Sequence, residues 1–403
     1  MSLDHSEVTL PRVGRGGPYL YLLDVFRVVA CAAVVCQHSF IWTGMSTNTV
    51  GTAGITILHF TRNAFFFLTS LVIAYAQITR PRTLWGFWSR RYVQIGVPYL
   101  VWTAIYFVFT LLRATSTVRG AGHLLITDLV IGYYQLYVVV VLLQAYLFFP
   151  LLMKFLRSTR RHGLILGVSV AFACFLGLTL HYSWHLGPVT TAMRWLDHWW
   201  PWSRDLLSYQ EFFVAGALAA FHFDKIQALL TRHVRRIAMV SASIGGVTLL
   251  WYVITVWTGG SLADASDIYE PIAIAWSFAA IAGLLSLSWW WMHRTAQGPC
   301  SSRRWRIFSI AGLAELSGGI YLCHVLFINM IRAALESLGL FGHLPWPVTV
   351  ALLYVGTLAC AVPFTALVQR TPLRWVIGGP VRSGQRAEYK SNSVAPAFES
   401  ASP

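Results

Sequence analysis

The sequence predicts an all-α polytopic membrane protein, a helical bundle of about ten transmembrane helices with both termini cytoplasmic. Three observations predict it. The chain of 403 residues is 56% hydrophobic and only 11% charged, far from the usual soluble balance of about half apolar and a quarter charged. Apolar runs long enough to cross about 30 Å of hydrocarbon recur along its length. The basic residues gather in every second loop between those runs, as they do in cytoplasmic loops.

The runs lie near 19–41, 53–78, 94–112, 125–153, 164–180, 206–222, 237–257, 271–291, 307–335 and 346–369. The first follows a polar segment, 1–18, and lacks the small-residue cleavage site of a signal peptide, so it reads as a retained span. The second carries one cation, Arg62, within an otherwise apolar stretch. Pro98 opens the third, Pro150 closes the fourth and Pro271 opens the eighth, so all three prolines are read as helix ends. Basic clusters fall near 80–91, 154–161, 225–236 and 294–306 and in the tail from Arg370. The opposite side holds only Arg113, Arg119, Arg194 and Arg204. Missing or inventing a span would scramble this alternation, and it stays in phase throughout. The domain reading is therefore a cytoplasmic segment 1–18, one membrane domain 19–370, and a cytoplasmic tail 371–403 with the composition of a disordered segment.

A net charge of +15 in a soluble chain would suggest nucleic acid. Here the charge lies in topology-setting loops, so no nucleic-acid partner is expected and the partner surface is the lipid bilayer. The six cysteines show no metal or disulfide spacing. The His181 and His185 pair has no third ligand beside it, so no metal site is expected.

Ionisable residues inside membrane helices are costly and mark functional sites unless a partner accounts for them. The first run holds three, Asp24, Arg27 and His38. Arg27 and His38 are eleven residues apart, which returns a helix to within about 20° of the same face, about 16 Å further along. Asp24 sits one turn before Arg27, at ion-pair spacing. Two readings are open for Arg27: a site residue, or a snorkelling cation with Asp24 as counter-ion. For His38 they are a site residue or an interfacial histidine. Arg62 lies too deep to reach water easily and needs an anion or an electropositive role; Asp128 and Glu211 are the candidate acids.

Four segments then resemble a known family. The first run, LD-x-x-R followed by ten residues and then His38, resembles the opening helix of the acyltransferase family 3 membrane proteins. FWSRRYVQIGVPYLVWTAIYFV (87–108), YYQLYVVVVLLQAYLFFPLL (133–152) and SGGIYLCHVLFI (317–328) resemble, in order, that family's basic loop with its Pro-Tyr helix start, its fourth helix and its ninth. The second and third blocks look most like the branch that O-acylates exported polysaccharide, typified by polysaccharide intercellular adhesin acyltransferases. This chain departs from the pattern at Gln94, where a third basic residue is usual, at Gln135, where that branch has His, and at Thr69-Ser70, in place of Ser-Gly. With Arg27 and His38 both present, these departures point to a shifted substrate.

The resemblance implies an enzyme of the bacterial cytoplasmic membrane, with acyl-CoA as donor substrate, no bound cofactor and a hydroxyl of a carbohydrate-containing acceptor as target. His38 is the first-helix group able to exchange a proton near neutral pH, which makes it the candidate general base, with Arg27 and Asp24 completing the catalytic set. Arg90 and Arg91 suit donor phosphates, or serve only as topology signals. Arg62, Gln135 and His324 complete the expected substrate-binding set, with packing inside the ninth helix the other reading of His324. The loop from His181 to Asp205, with Trp184, Trp195, Trp199, Trp200, Trp202, Asp197 and His198, suits a sugar or an interfacial aromatic belt. A transporter or flippase of the same glycan is the rival class; such folds favour paired broken helices, and the prolines read here as helix ends argue against it.

Overall fold

A computed structural model of the chain describes residues 22–113, 118–183, 201–295 and 309–378. The described elements are α1 (Leu22–Trp42), α2 (Thr49–Leu58), α3 (Phe60–Thr79), α4 (Leu84–Arg113), α5 (Val118–Thr127), α6 (Tyr137–Ser158), α7 (His162–Ser183), α8 (Gln210–Phe221), α9 (Phe223–Trp257), α10 (Pro271–Thr295), α11 (Ile310–Ser337) and α12 (Trp346–Arg370), with short 3-10 and π turns and a one-turn helix between them. Residues 184–200, which hold most of the tryptophan-rich loop with Asp197 and His198, lie outside the described residues.

Among the described residues nine helical segments are long and apolar enough to cross a membrane. The tenth expected run, Leu206–Phe221, is helical and apolar but shorter. Its length is explained by its surroundings: Glu211 through Ala220 are all buried, so protein rather than lipid sets how long it must be. Outward faces of the long helices are apolar, for example Met239, Val247 and Val253 on α9 and Val348, Leu352 and Val355 on α12, all exposed in the bundle. A continuous apolar exterior of this kind is solvated by acyl chains.

The helix starts follow local chemistry. Asn48 caps α2 by accepting from the backbone of Val50 and Gly51, and Ser309 caps α11 through Gly312 N. Pro271 is the first residue of α10, where its missing N–H is harmless. Pro98 and Pro150, read from the sequence as helix ends, lie instead inside α4 and α6, and Pro363 lies inside α12. α4 begins well before Pro98, at Leu84, and α6 continues past Pro150 to Ser158. The expected boundaries failed because both helices extend beyond the apolar core into the basic loops. α9 likewise starts at Phe223, with His233 in a non-helical conformation between the basic end and the apolar part.

In lipid, helices gain little from burying apolar faces against one another, and close backbone contact takes over that role. α3 and α8 meet most intimately: a Cβ on Gly216 would lie 2.2 Å from Phe67 O, and Ser70 Oγ donates to Phe213 O across the same contact. α11 and α12 meet at Gly319, where a Cβ would fall 2.4 Å from Thr365 Cγ2. α1 packs against α3, α10, α11 and α12. The chain after α12 does not leave the bundle at once. Pro372–Ile377 form a 3-10 helix, Trp102 Nε1 donates to Val376 O at 3.0 Å, and Ile377 is buried. The first residues beyond 370 thus belong with the membrane domain; 379–403 lie outside the described residues.

Candidate active site

α1 carries Asp24, Arg27 and His38 along its length. Asp24 Oδ1 lies 3.6 Å from Arg27 Nη1, one turn apart, with the Asp24 side chain 6% and that of Arg27 22% exposed. Further along α1, His38 turns into the bundle. Its ring centroid is 5.0 Å from that of His324 on α11 and 5.2 Å from that of Tyr134. His38 Nδ1 is buried with no hydrogen-bond partner among the described residues.

His324 is fully buried, and its Nδ1 lies 2.6 Å from Tyr321 O. A carbonyl oxygen only accepts, so Nδ1 carries the proton and, in the neutral ring, Nε2 presents a lone pair. That Nε2 also has no partner among the described residues. Tyr106, on α4, holds the turn of α11 on which His324 sits: its hydroxyl donates to Leu322 O at 2.8 Å and accepts from Leu326 N at 3.2 Å. Tyr106→Phe is expected to cost about 1–2 kcal/mol, because the buried hydroxyl serves two backbone groups. Thermal unfolding in detergent would register this as a lowered midpoint; an unchanged midpoint would show that the turn holds itself.

Tyr134 comes from an irregular stretch between α5 and α6. Asp128–Gly132 form a π turn and Tyr134–Leu136 a 3-10 turn. Gly132 has φ 88° and Tyr134 φ 25°; a Cβ on Gly132 would fall 2.6 Å from Tyr137 Cα, so only glycine fits there. Irregular backbone at membrane depth requires partners for its polar groups. Side chains supply them: Tyr99 Oη donates to Asp128 O and Leu129 O at 2.9 Å each, Arg204 Nη1 to Gly132 O at 3.0 Å, and Tyr321 Oη to Gln135 O at 2.6 Å. Gln135 is itself buried, with both atoms of its amide unpartnered among the described residues. The broken-backbone feature that the sequence reading found missing is therefore present at this stretch.

Arg62 stands on the first turn of α3. Neither acid suggested by the sequence pairs with it among the described residues. Arg62 Nη1 donates to Tyr137 Oη at 2.8 Å, and its guanidinium carbon lies 4.8 Å above the Tyr209 ring. Tyrosine faces and a hydroxyl thus stabilise the cation, where a carboxylate partner was one of the two readings open from the sequence. One turn along α3, Phe65 stacks on Tyr321 at 5.4 Å, the residue whose carbonyl orients His324. Arg62 and the histidine pair consequently share one interior. Beside Arg62, Asn63, Ser208, Tyr209, Glu211 and Tyr269 line a small cavity of about 10 Å³, room for about one water.

The expected residues divide into two groups. His38, His324, the stretch bearing Gln135, and Arg62 converge. Asp24 and Arg27 lie at the other end of α1, and Arg90 and Arg91 stand on α4 beside Arg82 around a separate recess. Sequence reasoning missed Tyr134, Tyr137, Tyr209 and Tyr321. A usable signal existed for three of them, since Tyr134 and Tyr137 flank Gln135 and Tyr321 precedes His324 by one turn; nothing in the sequence pointed to Tyr209.

Among the comparisons with known proteins, a family model described as an acyltransferase domain matches residues 20–366, which takes in every helix from α1 through most of α12. No curated protein and no solved structure matches the chain. The matched span covers far more than half of the 403 residues and includes the converging histidines and Arg62, so the chain belongs to acyltransferase family 3 and is a multi-pass membrane acyltransferase.

Proposed function

We propose that this protein transfers an acyl group, acetyl or another short chain, from a cytosolic acyl-CoA to a hydroxyl of a carbohydrate-containing acceptor, in a bacterial cytoplasmic membrane. The observation that carries the reading is the pairing of His38 with His324, two imidazoles each with a ring nitrogen that has no partner among the described residues, in the interior of a family acyltransferase. His38 acts as general base: it takes the proton of the acceptor hydroxyl as the oxygen attacks the thioester carbonyl. The tetrahedral intermediate collapses with cleavage of the carbon–sulfur bond, and the proton passes to the departing thiolate, so an ester and free CoA are the products. Arg62 forms the electropositive wall that stabilises the developing oxyanion. Arg27, oriented by Asp24, and Arg90 with Arg91 face the donor from the arginine-rich end, which the positive-inside rule makes cytoplasmic. Gln135 and His324 contact the acceptor or the acyl group.

The test is label transfer from radiolabelled acetyl-CoA to a crude acceptor extract by purified protein, with His38→Ala and Arg27→Ala in parallel. Transfer by the wild type and its loss in both variants is expected; equal transfer by all three would refute the site. The broken backbone at 128–136 and the prolines inside α4, α6 and α12 are features that glycan transporters also use. Movement of glycan across the membrane without label transfer would favour that reading.

A further inference from the structure

The small cavity beside Arg62 gathers oxygen atoms. Asn63 Oδ1, Ser208 Oγ, Glu211 Oε2 and Tyr269 Oη are buried and have no hydrogen-bond partner among the described residues. All four residues wall the same space of about 10 Å³. Buried polar atoms are rarely left this way, since each costs its full desolvation unless something bonds it. Four of them in one place, drawn from three separate stretches of chain, point to one shared partner and not to four independent defects.

The walls are held in place from outside the cavity. Asn63 Nδ2 donates to Ser277 Oγ at 2.9 Å, and the Ser277 hydroxyl donates to Ala273 O at 2.8 Å. With its hydrogen committed, Ser277 can only accept, which fixes the Asn63 amide with its nitrogen on α10 and leaves its oxygen for the cavity. Gly177 of α7 admits the segment that bears Tyr269: a Cβ there would fall 2.1 Å from Tyr269 O. Tyr269 N donates to Asp267 Oδ1 at 2.9 Å, which holds that turn. Asn63 Oδ1 and the Glu211 carboxyl oxygen accept hydrogen bonds, while the Ser208 and Tyr269 hydroxyls can donate them. Two acceptors and two donors complement the two hydrogens and two lone pairs of one water, and the volume admits about one. An anion would meet the two acceptors. A metal ion would lie beside the Tyr209 ring, which already carries the Arg62 guanidinium at 4.8 Å.

We propose that the cavity is a binding site for one ordered water, shared by Asn63, Ser208, Glu211 and Tyr269, and that through this water Glu211 is a positioning residue for Arg62. The second half follows from which residues are neighbours. Asn63 comes directly after Arg62 on α3, and Ser208 and Glu211 flank Tyr209, whose ring lies under the guanidinium. A water bonded to all three ties the start of α3 to the start of α8, and so keeps the cation over its ring. The water site stands on the geometry alone; its effect on turnover rests on the role given above to Arg62.

The direct test is X-ray hydroxyl-radical footprinting of wild-type protein in detergent, read by mass spectrometry, because radicals formed from a bound water oxidise side chains closed to bulk solvent. Phe212, in the cavity wall, is expected to oxidise several-fold faster than Phe26, which is equally buried and stands elsewhere in the core. Equal oxidation of the two would overturn the water site, and this measurement needs no variant to fold. Tyr269→Phe adds a test of sign. If the hydroxyl bonds the water, its loss lowers the melting midpoint by about 2 °C; loss of an unbonded buried hydroxyl leaves the midpoint unchanged or raises it, which would overturn the proposal. A wild-type midpoint that rises in sodium chloride but not in choline chloride would overturn it in favour of a metal cation. In turnover, Glu211→Leu is expected to lower kcat about tenfold with KM for acetyl-CoA held, and Glu211→Gln, which keeps an oxygen for the water, to recover most of the loss. An oxidised Phe212 together with wild-type kcat in Glu211→Leu would overturn the positioning role. Wild-type kcat in Arg62→Gln would instead remove the role of Arg62 in the reaction, and the turnover effect with it, while the footprint of the wild type still decides the water.

Discussion

Replacing His38 by glutamine is expected to lower acyl transfer by about 10²- to 10⁴-fold, the range that a positioned general base contributes, while the protein folds and binds donor as before. Glutamine keeps a polar side chain that fits beside Tyr134 and His324, but it cannot take a proton from a hydroxyl at neutral pH. The loss should therefore appear in kcat, with KM for acetyl-CoA close to that of the wild type, because an interaction made only in the transition state has been removed. His324→Gln gives a discriminating comparison. His324 has its Nδ1 committed to Tyr321 O, so it meets the reacting atoms only through Nε2, and its replacement should cost less than that of His38. A His38→Gln enzyme with near wild-type kcat would remove His38 from the mechanism and move attention to His324.

Gly216→Val is expected to produce the largest loss of stability, above the ~1–3 kcal/mol usual for an overpacked core. The added carbon would sit 2.2 Å from Phe67 O, 2.9 Å from Ser70 Cβ and 3.0 Å from Leu71 N. Two of these are backbone atoms of α3, which cannot swing aside as a side chain does. Relief requires the two helices to separate, and with them the Ser70 to Phe213 hydrogen bond. α3 carries Arg62, and Tyr209 immediately precedes α8, so the cation and the ring beneath it would also part. Gly246→Val on α9 is the control, because a Cβ there meets nothing within 4 Å. Thermal unfolding in detergent should show a markedly lower midpoint, or no monodisperse protein, for the first variant and little change for the second. Equal midpoints would mean that α3 and α8 tolerate a wider spacing than the structure has.

Much of the candidate site could be read before folding, because membrane chemistry makes deep ionisable residues conspicuous. Arg27, His38, Arg62 and His324 each stand out against apolar neighbours, and helical spacing places the first two on one stripe. What surrounds Arg62 was not legible. A buried guanidinium in sequence suggests an acid or an electropositive wall, yet Tyr137 and Tyr209 reach it from distant segments, and hydrophobic runs say nothing about which tyrosine faces inward. The stretch 128–136 was equally hidden. It belongs to an apolar run that reads as one helix, and only the capture of its carbonyls by Tyr99, Arg204 and Tyr321 lets it depart from helical geometry.

Composition and the alternation of basic loops were enough to determine an all-helical membrane protein and the approximate place of its spans, because hydrocarbon thickness and backbone hydrogen bonding leave few alternatives for a chain so apolar; the resemblance to its family came from four sequence segments. Tertiary structure alone decided that His38 stands against His324, that the 12-residue helix α8 is buried inside protein over Glu211–Ala220, and that basic residues resembling topology signals enclose a cavity. These outcomes depend on which helix faces turn toward one another. In a bilayer that choice is made by close packing and paired polar groups between segments far apart in sequence, and no local pattern records it.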